Sequence, residues 1–216
     1  TPQSLRMSSE QKFKDGDALK MSFEATNRTE LLVFTDRQQV YKTRLSDFDD
    51  TKASALGAYL PTKLSMDDGE RVLEIICPGD YRKNLLLFFE NGKVARLDLE
   101  SYETKTNRKK LINAYSDKSP LAAVYMISEE IDMAVFASDG RALVFNTTLL
   151  QVKTSRSTQG VGVMSLKKNS RVTSAAPLAD TVIKNISRYR VRSLPAAGAL
   201  LKEDDRGETQ LSLMDD

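Results

Sequence analysis

Hydrophobic and polar residues follow one another in a pattern that recurs three times along the chain. Each copy has a short apolar run, a polar turn and a second run that begins with an apolar residue; the copies are Leu31–Val40, Leu85–Val94 and Met133–Ala142. Short apolar runs on either side of a tight turn are typical of β-hairpins. Asn91-Gly92 and Asp139-Gly140 favour type I′ turns, in which both central residues have positive φ. The pattern therefore predicts three hairpins, with a poorer turn sequence at Arg37-Gln38-Gln39 in the first.

The spacing of the hairpins predicts a ring of repeated sheets. Phe34, Phe88 and Phe136 are 54 and 48 residues apart, and such a period is typical of propeller blades. A second recurring turn precedes a further β-rich run in each interval; these runs are Leu19–Phe23, Val72–Ile76, Leu121–Ile127 and Val172–Ala176. Four such turns with only three hairpins indicate that the chain starts partway through a blade. We expect the segment after about residue 173 to return and complete that first blade.

Together these elements predict an all-β fold, a propeller-like ring of about four blades, over residues 1–201. No sustained 3.6-residue apolar period occurs in the chain. Residues Tyr189–Leu194 alternate, which predicts a strand with Arg190 and Arg192 on one face. From Lys202 the chain is acidic and polar, which predicts a disordered tail over residues 202–216.

Composition excludes several classes of functional site. The 216 residues include no His and one Cys, Cys77, which excludes histidine-dependent catalysis, His-ligated metals, intramolecular disulfides and multi-cysteine metal sites. The acidic runs Asp47–Asp50 and Asp67–Glu70 lack the spacing of a calcium loop, so we expect turn residues there and no metal. No apolar run approaches the ~18 residues of a membrane span. Because the chain also begins at Thr1 and has no signal-peptide pattern, we expect a soluble, cytoplasmic piece of a longer protein.

Charges are balanced overall but unevenly distributed. The formal net charge is +2, yet residues 141–198 carry ten Lys or Arg and one acid, whereas residues 199–216 carry two and six. Such asymmetry is expected of a surface that binds a polyanion, next to a tail that competes for the same surface. The competing residues are then Glu203, Asp204, Asp205 and Glu208. A solvated basic face explains the same charges, so composition leaves both interpretations open.

Three segments resemble a known family. Val40–Phe48, Gly92–Arg96 and Tyr102–Leu111 resemble the C-terminal domain of bacterial type IIA topoisomerase A subunits, that is DNA gyrase or topoisomerase IV, and the resemblance extends from about Ser4 to about Leu201. It implies a β-pinwheel, a propeller-like ring with strands exchanged between blades, whose basic outer rim bends or wraps duplex DNA. For the parent enzyme it implies two A and two B subunits, with the catalytic tyrosine, ATP and Mg on other domains or subunits. This chain is then non-catalytic, without a cofactor, monomeric by itself and chromosome-associated.

One motif of the family is missing. DNA gyrase usually carries a Gln-Arg-Arg-Gly-Gly-Lys-Gly heptad in its first blade, which full wrapping of DNA requires. The nearest stretch, Thr154–Gly162, has an Arg and two glycines but lacks the basic cluster. Either the heptad lies upstream of Thr1, or the parent is closer to topoisomerase IV. The resemblance therefore implies DNA bending and leaves gyrase-like wrapping open.

The basic residues recur at the spacing that DNA binding requires. Duplex DNA carries one charge per ~1.7 Å of axis, so a wrapping surface needs cations repeated from blade to blade. We predict DNA contacts in or beside the second hairpin strands, in the connections after them, in the following turn and in the last strand: Lys42, Arg44, Lys93, Arg96, Lys105, Arg108, Lys109, Lys110, Arg141, Lys153, Arg156, Lys167, Lys168, Arg171, Arg188, Arg190 and Arg192. For Lys42 and Arg44, pairing with the nearby Asp47, Asp49 and Asp50 is an equal alternative. The alternative function is a propeller-type protein-interaction module, which the aromatic content of 7% and the absence of Trp disfavour.

Overall fold

Thirteen β-strands dominate the part of the chain that the structure describes. This computed structural model describes residues 23–52, 55, 57–104 and 108–206. In chain order the strands are β1 (Glu30–Thr35), β2 (Val40–Arg44), β3 (Val72–Ile76), β4 (Asn84–Phe89), β5 (Lys93–Asp98), β6 (Lys110–Leu111), β7 (Leu121–Ile127), β8 (Asp132–Ala137), β9 (Arg141–Asn146), β10 (Val152–Lys153), β11 (Val161–Gly162), β12 (Val172–Pro177) and β13 (Ala199–Leu200). Two single-turn helices, α1 (Leu60–Lys63) and α2 (Ile186–Tyr189), lie in the connections. Among the described residues, no helix has the length and apolar character to cross a membrane.

The strands form three sheets with one shared topology. Their orders are β3-β1-β2-β6, β10-β5-β4-β7 and β12-β8-β9-β13, and β11 also pairs with β5. A hairpin occupies the centre of each sheet. The outer edge of the hairpin is covered by residues from further along the chain: β6 follows the second hairpin but pairs in the first sheet, and β10 and β11 follow the third hairpin but pair in the second. This exchange of strands between neighbouring blades is that of a β-pinwheel, so the predicted fold class is confirmed.

The three hairpins have the same register. Phe34 pairs with Val40, Phe88 with Val94 and Phe136 with Ala142. Each second strand is followed by a short 3-10 turn, at Leu45–Asp47, Leu99–Tyr102 and Thr147–Leu149. The predicted alignment, with its spacings of 54 and 48 residues, is therefore confirmed.

The hairpin turns differ from the predicted type I′. Gly92 and Gly140 have φ values of +81° and +77°, but Asn91 and Asp139 are not in the left-handed region. The prediction that both central residues have positive φ is therefore wrong. A loop with a single left-handed residue is the longer, bulged hairpin connection, and it uses the same Asn-Gly or Asp-Gly dipeptide. Gln38 takes the left-handed position in the first hairpin, with φ +54°.

The core lies between neighbouring sheets. From β4, Leu85, Leu87 and Phe89 pack towards the first sheet, whereas Leu86 and Phe88 pack towards the third. All five side chains are buried. Because both faces of β4 are covered, its sequence is a continuous apolar run and not an alternating one.

The C-terminal part does not complete the first blade. β12 pairs with β8 in the third sheet, where Val172 and Ala175 pack between the second and third sheets. The prediction that this segment returns to the first blade is therefore wrong. Three sheets are present in the described residues, where about four blades were predicted. The predicted run Leu19–Phe23 falls, except for Phe23, outside the described residues.

The predicted strand at Tyr189–Leu194 and the predicted start of the tail are both wrong. Tyr189 ends α2, and its buried hydroxyl donates to Asp205 Oδ2 at 2.7 Å. Asp205 is 1% exposed and also accepts from the backbone N–H groups of Lys184 and Asn185, at 2.6 and 3.1 Å. Order therefore continues from Lys202 to Arg206, and residues 207–216 lie outside the described part of the chain. Because Asp205 is buried, it does not compete for the basic surface as predicted.

Candidate nucleic-acid interface

Each sheet has an inner and an outer edge. β3, β7 and β12 form one edge of their sheets, and β7 packs against both β3 and β12. These edges therefore converge, and the opposite edges, covered by β6, β10, β11 and β13, diverge. We call the surface made by these four short strands and their adjoining connections the outer rim.

Exposed cations lie on this outer rim. Arg108 and Lys109 are exposed just before β6, and Lys153 is exposed on β10. The backbone fixes their positions, because Lys109 O accepts a hydrogen bond from Lys42 N–H at 2.8 Å and Lys153 pairs with Leu97 in the β10–β5 ladder. None of the eight ion pairs among the described residues involves these three cations. Lys105, which was predicted with them, lies outside the described residues.

Two further rim cations are partly engaged. Lys110 Nζ lies 3.0 Å from both carboxylate oxygens of Asp67, and this contact raises the pKa of Lys110. The guanidinium of Arg156 lies 5.7 Å from the centre of the Tyr102 ring, within the range of a cation–π contact. The Lys110–Asp67 pair is partly exposed and therefore weak, whereas the Tyr102 ring beside Arg156 is buried.

Lys42, a predicted DNA contact, is instead directed into the protein. Its ammonium lies 3.0 Å from Glu30 and 3.1 Å from Tyr102 O, and its side chain is 9% exposed. Burial alone raises the pKa of Glu30, but the hydrogen bonds from Tyr81 and Lys42 outweigh it and hold that pKa below its usual value. Because Tyr102 follows the second hairpin, Lys42 joins the first blade to the second.

Arg96 occupies the equivalent position 54 residues later and joins the second blade to the third. Its guanidinium forms a bidentate ion pair with Glu130 at 2.8 and 3.0 Å, and its side chain is 11% exposed. It also donates to Asn84 Oδ1 at 2.8 Å and to Thr147 O at 3.0 Å. The hydrogen bond from Arg96 is the main cause that lowers the pKa of Glu130. The structure therefore does not present Arg96 to a ligand.

Arg190 supplies the matching cation in the third blade. The equivalent hairpin position is Val144, which forms a β-bridge with Arg190. The guanidinium of Arg190 pairs with Asp132 at 2.7 and 3.0 Å, which raises the pKa of Arg190 and lowers that of Asp132. In all three sheets, a cationic side chain therefore contacts the first residue of the first hairpin strand, which is Glu30, Asn84 or Asp132. In the third sheet, this cation comes from outside the hairpin.

Five predicted residues lie on the side of the sheets that carries the hairpin turns: Lys93, Arg141, Lys167, Lys168 and Arg171. Ser138 N–H donates to Arg171 O at 2.8 Å, which joins the turn before β12 to the third hairpin turn. Arg141 and Arg171 lie 3.7 and 3.9 Å from Asp139 and Glu90, and Lys93 donates to Gln159 at 3.1 Å. Lys167, Lys168 and Arg171 are therefore separate from the outer rim, whereas Lys93 and Arg141 pair with residues of the rim strands β11 and β13.

The other three predicted residues are exposed at strand or helix ends. Arg44 ends β2, Arg188 lies in α2 and donates to Leu200 O at 3.3 Å, and Arg192 follows α2. Of these, Arg188 lies next to β13 and so belongs to the outer rim.

A cleft beside β2 adds a cation that the sequence analysis missed. The cleft has a volume of about 390 Å³ and is lined by Lys63, Lys109 and Thr43, together with Asp47. Lys63 is the last residue of α1, which has a proline in its first turn. Proline favours the first turn of a helix, so the pair Leu60-Pro61 was the sequence signal for the start of α1 and hence for the position of Lys63 at its end.

The sequence is similar to those of topoisomerase subunits. A family model described as the DNA gyrase C-terminal domain, beta-propeller, matches residues 29–57 and 132–179. The DNA gyrase A subunit of Metamycoplasma arthritidis is 24% identical over 203 residues, which cover 85% of this chain and 22% of that protein. The DNA topoisomerase 4 A subunit of Staphylococcus epidermidis is 22% identical over 206 residues, which cover 93% of this chain and 25% of that protein. The chain therefore spans about a quarter of the length of these curated relatives.

Solved structures share the fold. The C-terminal domain of DNA topoisomerase IV matches with a TM-score of 0.78 at 19% identity, over 92% of this chain and 67% of that one. The C-terminal domain of E. coli ParC matches with a TM-score of 0.65 at 14% identity, over 89% of this chain and 84% of that one. The resemblance seen in the sequence is therefore confirmed: the chain is similar to the C-terminal domains of the DNA gyrase and topoisomerase IV A subunits, and it has their β-propeller fold.

Proposed function

We propose that this chain is a non-catalytic domain that binds duplex DNA along its outer rim, bends or wraps it, and presents it to the strand-passage part of a type IIA topoisomerase. The observation that carries the proposal is the set of exposed cations at the rim of successive sheets, with Arg108 and Lys109 beside the first sheet and Lys153 beside the second. The relationship to gyrase and topoisomerase IV A subunits supports it.

The proposed mechanism is electrostatic. Long cationic side chains on a rigid rim contact phosphates, which carry no sequence information directly. Bending a site of 20–30 base pairs through 40–90° costs about 1–6 kcal/mol by elastic estimates. The release of counterions from the phosphates offsets this cost. Each phosphate contact contributes about −0.9 to the slope of log K against log salt concentration. We therefore expect binding that weakens steeply with salt and depends little on sequence.

The parent enzyme belongs to the same proposal. In this proposal the parent enzyme contains two A and two B subunits, and this chain is part of A. The catalytic tyrosine and ATP hydrolysis with Mg²⁺ belong to other domains or subunits, and the location is the cytoplasm, at the chromosome. The sequence lacks the Gln-Arg-Arg-Gly-Gly-Lys-Gly heptad. DNA bending is therefore the minimal activity, and a chiral wrap needs a separate measurement.

Binding to linear duplexes, followed by closure of nicked circles, tests the proposal. Affinity is measured for duplexes of about 40 and about 140 base pairs, below and near the persistence length of about 150 base pairs. Steep salt dependence with a shifted linking number after ligation indicates a chiral wrap, and steep dependence without a shift indicates bending alone. Absence of binding at low salt overturns the proposal and favours the protein-interaction module.

A rim variant locates the interface. Lys109→Ala with Lys153→Ala removes two exposed rim cations and is expected to reduce the salt slope by about 1.8, at about 0.9 per phosphate contact. Lys118→Ala is the matched control, because Lys118 is also exposed but lies in the turn before β7, on the inner edge. Equal slopes for the rim variant and the control would contradict a rim interface.

A further inference from the structure

A second cleft lies at the ends of β1 and β2 that are remote from the hairpin turn. Its volume is about 530 Å³, and its lining includes Arg28, Glu30, Arg44, Ser46 and Tyr81. We call it the strand-end cleft. Arg28 and Arg44 are both exposed, and Arg28 is absent from the residues predicted from the sequence.

Backbone hydrogen bonds hold the two arginines beside each other. Leu45 N–H donates to Thr29 O at 3.0 Å, and Ser46 N–H donates to Asn27 O at 2.9 Å. Arg28 lies between the two acceptor residues, and Arg44 directly precedes the first donor. Because the backbone is already fixed, only side-chain rotamers need to be ordered when an anion binds.

The carboxylates near the strand-end cleft have other partners. Glu30 accepts a hydrogen bond from Tyr81 Oη and lies 3.0 Å from the ammonium of the buried Lys42. Asp47 accepts from the backbone N–H of Arg44 at 2.9 Å. Neither Arg28 nor Arg44 takes part in any of the eight ion pairs among the described residues. Two guanidinium groups beside one cleft suit a phosphate, whose oxygens accept paired N–H donors.

The strand-end cleft adjoins the outer rim. Lys109, on the rim, accepts a backbone hydrogen bond from Lys42. Arg44 is two residues further along β2, a distance of about 6.6 Å at about 3.3 Å per residue. Successive phosphates of one DNA strand are about 3.4 Å apart along the duplex axis, so two steps along the strand cover about 6.8 Å. A strand that contacts Lys109 therefore has another phosphate within reach of Arg44.

We infer that the strand-end cleft binds a backbone phosphate of duplex DNA through Arg28 and Arg44, which extends the interface from the rim onto the strand ends of the first blade. This inference rests on the proposed function. The paired arginines are specific to the first blade. In the second blade, Arg82 takes the position of Arg28, and Asp98 takes that of Arg44. In the third blade, these positions are taken by Glu130 and Asn146.

The test compares the salt dependence of DNA binding for four proteins on one duplex of about 40 base pairs, well below the persistence length. Arg28→Ala with Arg44→Ala is expected to reduce the slope of log K against log salt by about 0.9 if both arginines hold one phosphate, and by about 1.8 if each holds its own. The control Arg71→Ala removes an arginine with a side chain 82% exposed on the hairpin-turn side and is expected to leave the slope unchanged. Arg28→Lys with Arg44→Lys is expected to restore the slope, because it restores both charges.

The outcomes separate the inference from the proposed function. An unchanged slope in the double alanine variant, with normal binding by the unmodified chain, overturns the inference alone. An equal reduction in Arg71→Ala overturns it as well, since the effect is then one of net charge. If the unmodified chain does not bind DNA at low salt, the proposed function fails. Thermal unfolding of each variant verifies folding, and Arg28→Ala alone, in a turn outside the strands, replaces the double variant in the comparison if the latter is unstable.

Discussion

Replacement of Arg96 by alanine tests whether the cation at this position joins two blades or contacts DNA. The change removes the bidentate pair with Glu130 and the hydrogen bonds to Asn84 Oδ1 and Thr147 O, all made by a side chain that is 11% exposed. Removal of one partner of a buried ion pair costs about 3–5 kcal/mol. Glu130 is 42% exposed, so water solvates the remaining carboxylate, and we expect the free energy of unfolding to fall by about 2–3 kcal/mol.

Urea and thermal unfolding measure this loss. In a domain of this size 1 kcal/mol corresponds to about 2–4 °C, so Tm is expected to fall by about 4–12 °C. A double-mutant cycle with Glu130→Ala isolates the energy of the pair. The DNA-binding salt slope is expected to stay unchanged, since Arg96 is not presented to a ligand.

Arg108→Ala is the matched control, because it removes the same side chain from an exposed position beside β6. Its Tm is expected to change little, since exposed substitutions usually stay within about 0.5 kcal/mol, while its salt slope falls by about 0.9. If Arg96→Ala leaves Tm unchanged and reduces the salt slope, Arg96 contacts phosphate and does not join the blades.

Two further predictions concern the buried carboxylate of Asp205 and the hairpin turns. Asp205→Asn removes the charged acceptor of four hydrogen bonds and is expected to cost about 1–3 kcal/mol at neutral pH. Burial alone raises the pKa of Asp205, but these hydrogen bonds outweigh burial and hold that pKa below its usual value. The unmodified chain therefore loses the stability that they contribute as pH falls below about 4. If urea unfolding shows that Asp205→Asn is equally sensitive to acid, this prediction is contradicted. Gly92→Ala places a Cβ 2.2 Å from Met164 O, so its Tm should fall further than that of Gly140→Ala, whose φ is similar but whose nearest contact is 3.9 Å. Equal decreases would exclude the clash.

Strand positions were predictable because hairpins are local structures. The apolar run Leu85–Phe89, its turn and the strand after it all lie within about 15 residues. Over such a span, the pattern of apolar residues and the turn residues are enough to predict a hairpin. The run Val72–Ile76 was predicted with the bounds that β3 has. The turn type was not predictable, because Asn-Gly serves both the two-residue turn and the longer bulged loop. At the C-terminus, alternation at Tyr189–Leu194 was overridden by the burial of Tyr189 against Asp205.

The repeat, the all-β class and the positions of the cations were predictable from the sequence alone, because each of these is a property of a short segment. Which of the cations are exposed depends instead on how the blades pack. Lys42 and Arg44 are two residues apart on β2, so their side chains lie on the same face and no local pattern separates them. Tyr102 O, 60 residues away in sequence, bonds to Lys42 and helps bury it, whereas Arg44 remains exposed. Exposure depends on which distant segment covers a residue, and that is settled only when the blades pack together.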